Sequence, residues 1–245
     1  MTTAPLFLVD ELPVGEHALL DGPEGRHAAA ARRLRTGESL QLADGRGGLA
    51  AAVVTTAGRD HIEVRVVERI ELVPPTPRVL LAQALVKGDR GELAVELATE
   101  AGIDGVLPWR AARCVARWDD GPRGRKALAR WRTTVREAAK QARRPWVPEV
   151  AEPVSTATLA EHVVAAELAL VLHESATVGI GGVALPASGD VLLVVGPEGG
   201  IAEDELARLE GAGARAVRLG PEVLRASTAA AVALGSLGVL TGRWT

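Results

Sequence analysis

The chain has 245 residues with a formal net charge of −3, 24% charged and 47% hydrophobic residues, enough for one large or two small domains with a well-buried core. Aromatic residues make up only 2%, so the core must be aliphatic. The single cysteine, Cys114, excludes a disulfide framework and an all-cysteine metal site, and it suits a reducing cytoplasm.

Taken in order, Met1 to Asp10 has neither the basic nor the long apolar region of a secretory signal. Residues 1–73 read as all-β. Short apolar runs at 6–9, 18–20, 40–42 and 51–54 are separated by turn signals, and Asp44-Gly45-Arg46-Gly47-Gly48 has the composition of a hairpin loop. The clearest strand is His61 to Ile70, where Ile62, Val64 and Val66 alternate with Glu63, Arg65 and Val67 at the period of a half-buried strand. A helix is expected over Gly25 to Leu34. Several short strands in so short a stretch suggest a small barrel. Pro74-Pro75-Thr76-Pro77 cannot extend a central strand and favours an extended linker. The domain boundary is placed there, giving domains over 1–73 and 74–245.

Beyond the linker, strands alternate with helices, the texture of an α/β domain. Strands are expected at Val79 to Leu85, Gly105 to Pro108 and Ala216 to Leu219, and helices at Asp89 to Ala101, Lys126 to Arg143, Ala202 to Glu210 and Ser227 to Leu240. Leu168 to Leu172 and Val191 to Val195 are continuous apolar runs, as in a parallel sheet covered on both faces. The richest apolar stretch, Ala229 to Leu240, is shorter than the roughly 20 residues of a membrane span. The expected location is the cytoplasm.

Charge is unevenly spread. Arg110 to Glu149 holds twelve basic and four acidic residues, whereas the rest of the chain is net acidic. A concentrated basic segment in an acidic protein is a footprint for a polyanion; the alternative is a solvated helix face rich in arginine. Arg113, Lys140, Arg143 and Arg144 are the candidate phosphate contacts. His17, His27, His61 and His162 show no metal-ligand spacing, so no metal is expected. Trp109, Trp118, Trp131 and Trp146 read first as core residues.

The most informative stretch is Val194-Val195-Gly196-Pro197-Glu198-Gly199-Gly200-Ile201, an apolar strand running into a glycine-rich loop and then a helix. Glycines there let backbone approach a ligand closely, and ligands in α/β sheets bind at the carboxyl ends of strands. A phosphate loop needs Lys and Ser or Thr at the helix start. Here Glu203, Asp204 and Glu205 fill the first turn, where they complement the helix dipole and repel phosphate. The loop therefore favours a neutral or cationic ligand, unless it is simply a tight turn. Leu219-Gly220-Pro221-Glu222-Val223-Leu224-Arg225 and Leu172-His173-Glu174-Ser175 also follow strands, so three strand ends are candidates for one pocket. His173 reads as a structural histidine more readily than as an acid or base.

Gly196-Pro197-Glu198-Gly199-Gly200 together with Leu219 to Ala229 resembles the SPOUT class of knotted methyltransferases, and more narrowly the enzymes that methylate N3 of one uridine in small-subunit 16S ribosomal RNA. The resemblance covers nearly the whole chain. Lys87-Gly88-Asp89-Arg90 with Ala98 to Gly102 is similar to that family's first catalytic-domain helix. Arg110, Arg113-Cys114-Val115 and Trp131 to Val150 are similar to its basic middle segment. His27 to Gly47, with Arg32, Leu34, Arg35, Gly37 and Asp44-Gly45, is similar to its N-terminal PUA-like barrel. The chain departs from the family where Ala4-Pro5 precedes Leu6-Phe7, lacking an N-terminal Arg, and at Ser227, where an acidic residue is usual.

The resemblance implies a PUA-like β-barrel followed by an α/β domain with a C-terminal trefoil knot, and a homodimer. It implies S-adenosylmethionine held by Leu172, His173, Glu174, Gly196, Pro197, Glu198, Gly199, Gly200, Ile201, Leu219, Gly220, Val223, Leu224 and Thr228. RNA contacts are expected at Arg32, Arg35, Arg113, Lys140, Arg143 and Arg144, with ribosomal RNA in the small subunit as partner. Arg225 is the candidate to stabilise charge developing on the uracil oxygen, unless it only anchors the loop or dimer. Glu198 is the candidate to orient cofactor or base, unless it only stabilises the loop. The rival reading is a non-catalytic RNA-binding or ribosome-assembly factor on the same fold. The intact glycines at 196, 199, 200 and 220 argue against it.

Overall fold

A computed structural model describes residues 4–244; Met1 to Thr3 and Thr245, at the outer ends of the two expected domains, lie outside the described residues. The chain divides into two units, one formed by residues up to Pro74 together with Ala139–Val147, the other by Pro75–Ala138 and the residues from Pro148 onward.

In the first unit the chain forms β1 (Leu6–Leu8), β2 (His17–Leu20), α1 (Gly22–Arg26), β3 (Ser39–Ala43), β4 (Gly48–Ala57) and β5 (Ile62–Glu71). These strands make one sheet in the order β1-β3-β4-β5-β2, with β1 parallel to β3 and the other pairs antiparallel. Strict alternation along β5 sends Ile62, Val64 and Val66 into one core with Phe7, Leu40, Leu42, Ala52 and Val54. The helix expected at Gly25 begins three residues earlier, because Pro23 fits a first helical turn whose N–H groups are unpaired anyway. It continues into a π-helical turn, His27–Ala31.

On the opposite face Leu6, Leu8, Ala43 and Leu49 pack with Val147. The segment 139–147 adds to this unit through backbone hydrogen bonds from Gly47 N–H to the Pro145 carbonyl (3.1 Å) and from Val147 N–H to the Gly45 carbonyl (2.9 Å). Trp146 lies on Gly47, where an added Cβ would come within 2.1 Å of its ring. Glycine is required there twice over, since its φ is 104°.

In the second unit the chain forms β6 (Arg78–Ala84), α2 (Arg90–Glu100), β7 (Gly105–Trp109), α3 (Pro122–Gln141, its last turn counted with the first unit), β8 (Glu149–Val150), α4 (Thr156–Ala165), β9 (Leu168–Leu172), β10 (Asp190–Val195), α5 (Glu203–Gly211), β11 (Arg215–Val217) and α6 (Ala226–Leu240). The sheet order is β11-β9-β10-β6-β7-β8 and every neighbouring pair is parallel. The apolar runs of β9 and β10 are buried along nearly their whole length, as sheets covered on both faces require. Trp109 and Trp131 are fully buried, and Trp118 packs edge-on to Trp131 at 4.8 Å.

Sequence reading did not separate α4 and β8. The strand expected at Leu168 to Leu172 has the bounds of β9, but the apolar residues Val163 to Ala166 lead into it with only Glu167 between, which conceals the helix that precedes it. The start of α4 is marked by Ser155, whose Oγ accepts the Thr158 N–H (3.2 Å) as an N-cap. The carboxyl-terminal tail is tied down by Arg243, which donates to both Asp104 carboxylate oxygens and to the Gly102 carbonyl.

Candidate functional site

Strand order decides where the loops meet. β11, β9, β10 and β6 are neighbours, so the loops leaving their carboxyl ends lie side by side, the usual position for a ligand in an open parallel sheet. They enclose one cleft of about 720 Å³, entirely within the second unit. Its walls are Val86 and Arg90 after β6, Leu172 to Glu174 after β9, Gly196 to Ile201 and Glu203 after β10, and residues from Val217 through Ser227 after β11. Arg113, from the segment following β7, closes another side.

The glycine loop is shaped by steric demand. A Cβ on Gly196 would stand 2.6 Å from the Ile201 Cγ1, and Gly200 has φ 74°. Gly200 N–H bonds the Pro197 carbonyl (2.9 Å) and closes the turn. The floor is apolar: Val86, Val195, Ile201, Val217 and Ala229 are buried. Ionic groups sit above it. Arg90 approaches Glu198 at 3.8 Å. Arg225 is the N-cap residue of α6; its carbonyl accepts the Thr228 and Ala229 N–H groups, and its guanidinium has no salt-bridge partner among the described residues. His173 accepts through Nδ1 from the Ser175 N–H (3.3 Å), with the Ser175 hydroxyl 2.8 Å away, so its ring is held by its own loop.

The cleft thus brings together Arg225, Glu198, Leu172, His173, Glu174, Gly196, Pro197, Gly199, Gly200, Ile201, Leu219, Gly220, Val223 and Leu224. Thr228 is an exception. It is not among the cleft's lining residues, and its hydroxyl donates to the Arg225 carbonyl (3.2 Å), a local helix-start bond. Arg90, Glu203, Arg218, Glu222 and Ser227 line the cleft but were not singled out as site residues. For Arg90 the signal was present, since it opens the helix after a strand end; Arg218 simply read as the end of a strand.

The expected RNA-contacting residues are divided between the units. Arg113 belongs to the second, where its guanidinium donates to the Gly199 carbonyl (3.3 Å). Arg32, Arg35 and Arg143 are exposed on the first unit, and Arg144 is half-buried. Lys140 requires a correction. Its ammonium is 2.7 Å from Glu24 Oε1 and lies over the Phe7 ring, with the side chain 13% exposed, so it is an internal tie with little to offer a phosphate. Arg143 holds a left-handed conformation, φ 56°, where α3 ends; the Arg144 N–H bonds the Ala139 carbonyl and the Arg143 N–H the Lys140 carbonyl, a Schellman closure usually made with glycine.

Two further groups stand behind the cleft. Glu205 is 5% exposed; its Oε1 accepts the Ala112 N–H (2.9 Å) and the Thr156 hydroxyl (2.6 Å), and its Oε2 accepts the Ala202 N–H (3.4 Å). Burial pushes the Cys114 thiol above the ordinary cysteine range, with Glu205 and Glu198 adding to that rise. Among the described residues no cluster of three or more His, Cys, Asp or Glu side chains could hold a metal ion. Nor is any described helix long and apolar enough to cross a membrane.

Residues 74–238 match the family model for an RNA methyltransferase domain, and residues 20–67 match that for an RNA methyltransferase PUA domain. The ribosomal RNA small subunit methyltransferase E of Mycobacterium bovis is 56% identical, across 98% of this chain and 94% of its own. The protein of that name from Bacillus subtilis is 30% identical, across 91% of this chain and 90% of its own. The crystal structure of a ribosomal RNA small subunit methyltransferase E from Neisseria gonorrhoeae bound to S-adenosyl methionine matches with a TM-score of 0.83 at 26% identity, covering 97% of this chain and 98% of that one. With one family model matched over residues 74–238 and a 56% identical relative aligned across 98% of this chain, the chain belongs to the RNA methyltransferase family.

Proposed function

We propose that this protein transfers the methyl group of S-adenosylmethionine to N3 of one uridine in the 16S RNA of the small ribosomal subunit, and that it works as a homodimer in the cytoplasm. The observation that carries this reading is the meeting of three loops, after β9, β10 and β11, around one cleft. The cleft fits the cofactor. Its apolar floor suits an adenine, the glycine loop exposes backbone at close range, and Glu174, Glu198, Glu203 and Glu222 together with Arg90, Arg113, Arg218 and Arg225 suit a ligand that carries charges of both signs. Leu172 to Glu174, Gly196 to Ile201, Leu219, Gly220, Val223 and Leu224 would hold it. Residues 1–73 act as the RNA-binding domain and 74–245 as the methyltransferase domain. The knot of SPOUT enzymes lies at the C-terminus; the segment between β9 and β10 meets Arg218 there, with Val178 and Ile180 bonded to its backbone.

S-adenosylmethionine, when bound, supplies an electrophilic methyl group on a sulfonium. Holding the acceptor in line with it accounts for much of the acceleration. Uracil N3 loses its proton to water as it attacks, and negative charge grows on the adjacent oxygens. Arg225, which has no salt bridge among the described residues, donates to one of them. Glu198, kept in place by Arg90, orients cofactor or base. Arg32, Arg35, Arg113, Arg143 and Arg144 contact phosphates. A second copy covers the apolar residues that α6 leaves exposed, Val232, Val239 and Leu240.

The test is to incubate the protein with radiolabelled S-adenosylmethionine and small subunits from cells lacking the enzyme, then to digest the RNA and identify the labelled nucleoside. Label in 3-methyluridine at one site is expected. Label in another nucleoside would overturn the uridine-N3 reading. No label and no cofactor binding would favour a non-catalytic RNA-binding factor.

A further inference from the structure

The chemistry just described makes no use of the buried Glu205, yet its bonds reach three separate segments. It stands in the first turn of α5, shortly after the glycine loop. Through Ala112 it holds the segment that follows β7, through Thr156 the start of α4, and through Ala202 the start of α5. Thr156 in turn accepts the Trp109 indole N–H (3.1 Å), so the end of β7 joins the same network. A buried carboxylate is costly unless several donors meet it, and hydrogen bonds to a charged acceptor are the strong ones. The shortest of these bonds, at 2.6 Å, is of that kind.

Ala112 directly precedes Arg113. The Arg113 guanidinium reaches the Gly199 carbonyl (3.3 Å), and its Cβ stands 3.4 Å from where a Cβ on Gly199 would lie. The glycine loop closes its own turn through Gly200 and Pro197. The Ala112 N–H has no other acceptor among the described residues, and of the two backbone bonds to Glu205 it makes the shorter, 2.9 Å against 3.4 Å for Ala202. Removing the carboxylate should therefore loosen the Arg113 segment first and the glycine loop much less. That segment carries Arg113, exposed and lining the cleft, and exposed Arg117 four residues on, charges suited to a polyanion.

We propose that Glu205 is a positioning residue: it holds the Arg113 segment against the glycine loop and so sets the face of the cleft that receives RNA. The consequence for RNA rests on the methyl-transfer reading; the hold itself does not.

The full-length protein and its Glu205→Ala, Glu205→Gln, Arg113→Ala and Glu205→Ala/Arg113→Ala variants are compared by amide hydrogen exchange and by methyl-transfer kinetics. In Glu205→Ala, exchange over residues 110–117 should accelerate by about tenfold or more while residues 196–201 change little. The KM for RNA should rise about tenfold, with cofactor Kd within about threefold, and adding Arg113→Ala should cost little more. Glu205→Gln keeps an acceptor for Ala112 and Thr156, so the dependence on Arg113 should return. Unchanged exchange over 110–117 in Glu205→Ala overturns the proposal, as does an equal cost of Arg113→Ala in both backgrounds. If Glu205→Ala does not fold, Ala112→Pro removes the N–H that Glu205 accepts and leaves the carboxylate with its other donors, at the second position of the turn closed by the Cys114 N–H and the Ala111 carbonyl, where proline fits; faster exchange over residues 113–117 supports the hold and unchanged exchange overturns it. Absence of methyl transfer by the unaltered protein would defeat the functional reading, while the exchange measurement still decides the hold.

Discussion

Arg225 stands at the mouth of the cleft with no salt-bridge partner among the described residues, whereas Arg90 and Arg113 both have contacts on the glycine loop. An unneutralised guanidinium is the one best able to meet charge that appears only during reaction. Arg225→Ala should lower methyl transfer by roughly 10²–10³-fold while cofactor affinity, measured by titration calorimetry, changes only a few-fold. Unchanged transfer would remove Arg225 from the mechanism. Cys114 gives a prediction of opposite character. Its folded-state thiol is pushed up by burial, so the folded protein holds that proton more tightly than the unfolded chain does. The resulting contribution to stability is complete below the unfolded thiol's pKa and is lost as pH rises through the folded one. At pH 8 iodoacetamide should therefore modify native Cys114 more slowly than the urea-unfolded chain, as followed by mass spectrometry; equal rates would contradict this.

At the scale of elements, period and composition made most of the fold legible. The alternation of Ile62, Val64 and Val66 marked β5, and the unbroken apolar runs marked β9 and β10 as strands buried on both faces. The strand-to-loop transition at Gly196 marked the cleft because glycine and proline act through local sterics, which sequence carries directly. What stayed hidden depends on partners distant in sequence. Lys140 read as one cation in a basic helix, and nothing near it announces Glu24, 116 positions away. Lys140→Met should lower the stability of the first unit by about 1–3 kcal/mol in urea unfolding, since it leaves the half-buried Glu24 carboxylate without its counter-charge. It should leave the salt dependence of RNA binding unaltered. Arg143→Ala, exposed, should instead reduce the slope of log K against log salt by about 0.7–0.9.

The molecule as a whole is net acidic, and its cations are concentrated between Arg110 and Glu149, a stretch shared by both units. Its apolar surface is equally uneven. Val239 is 69% exposed and Leu240 50%, on the same helix whose first turn lines the cleft, where Val223 and Leu224 are also exposed. If a second copy covers that face, Val239→Asp should shift the protein to monomer in sedimentation velocity and weaken cofactor binding in parallel, because one helix would carry the interface at its end and line the cleft with its first turn. A monomer in the unaltered protein at micromolar concentration would exclude the dimer.

The completion of the first unit by Ala139–Val147 bears on how the protein is made. Domains near the N-terminus generally fold as synthesis proceeds. Here Leu6, Leu8 and Leu49 have no cover until Val147 arrives, and the surface of Gly47 waits for Trp146. The nascent chain must carry an unfinished sheet through the translation of α2, β7 and α3 before its first unit can close.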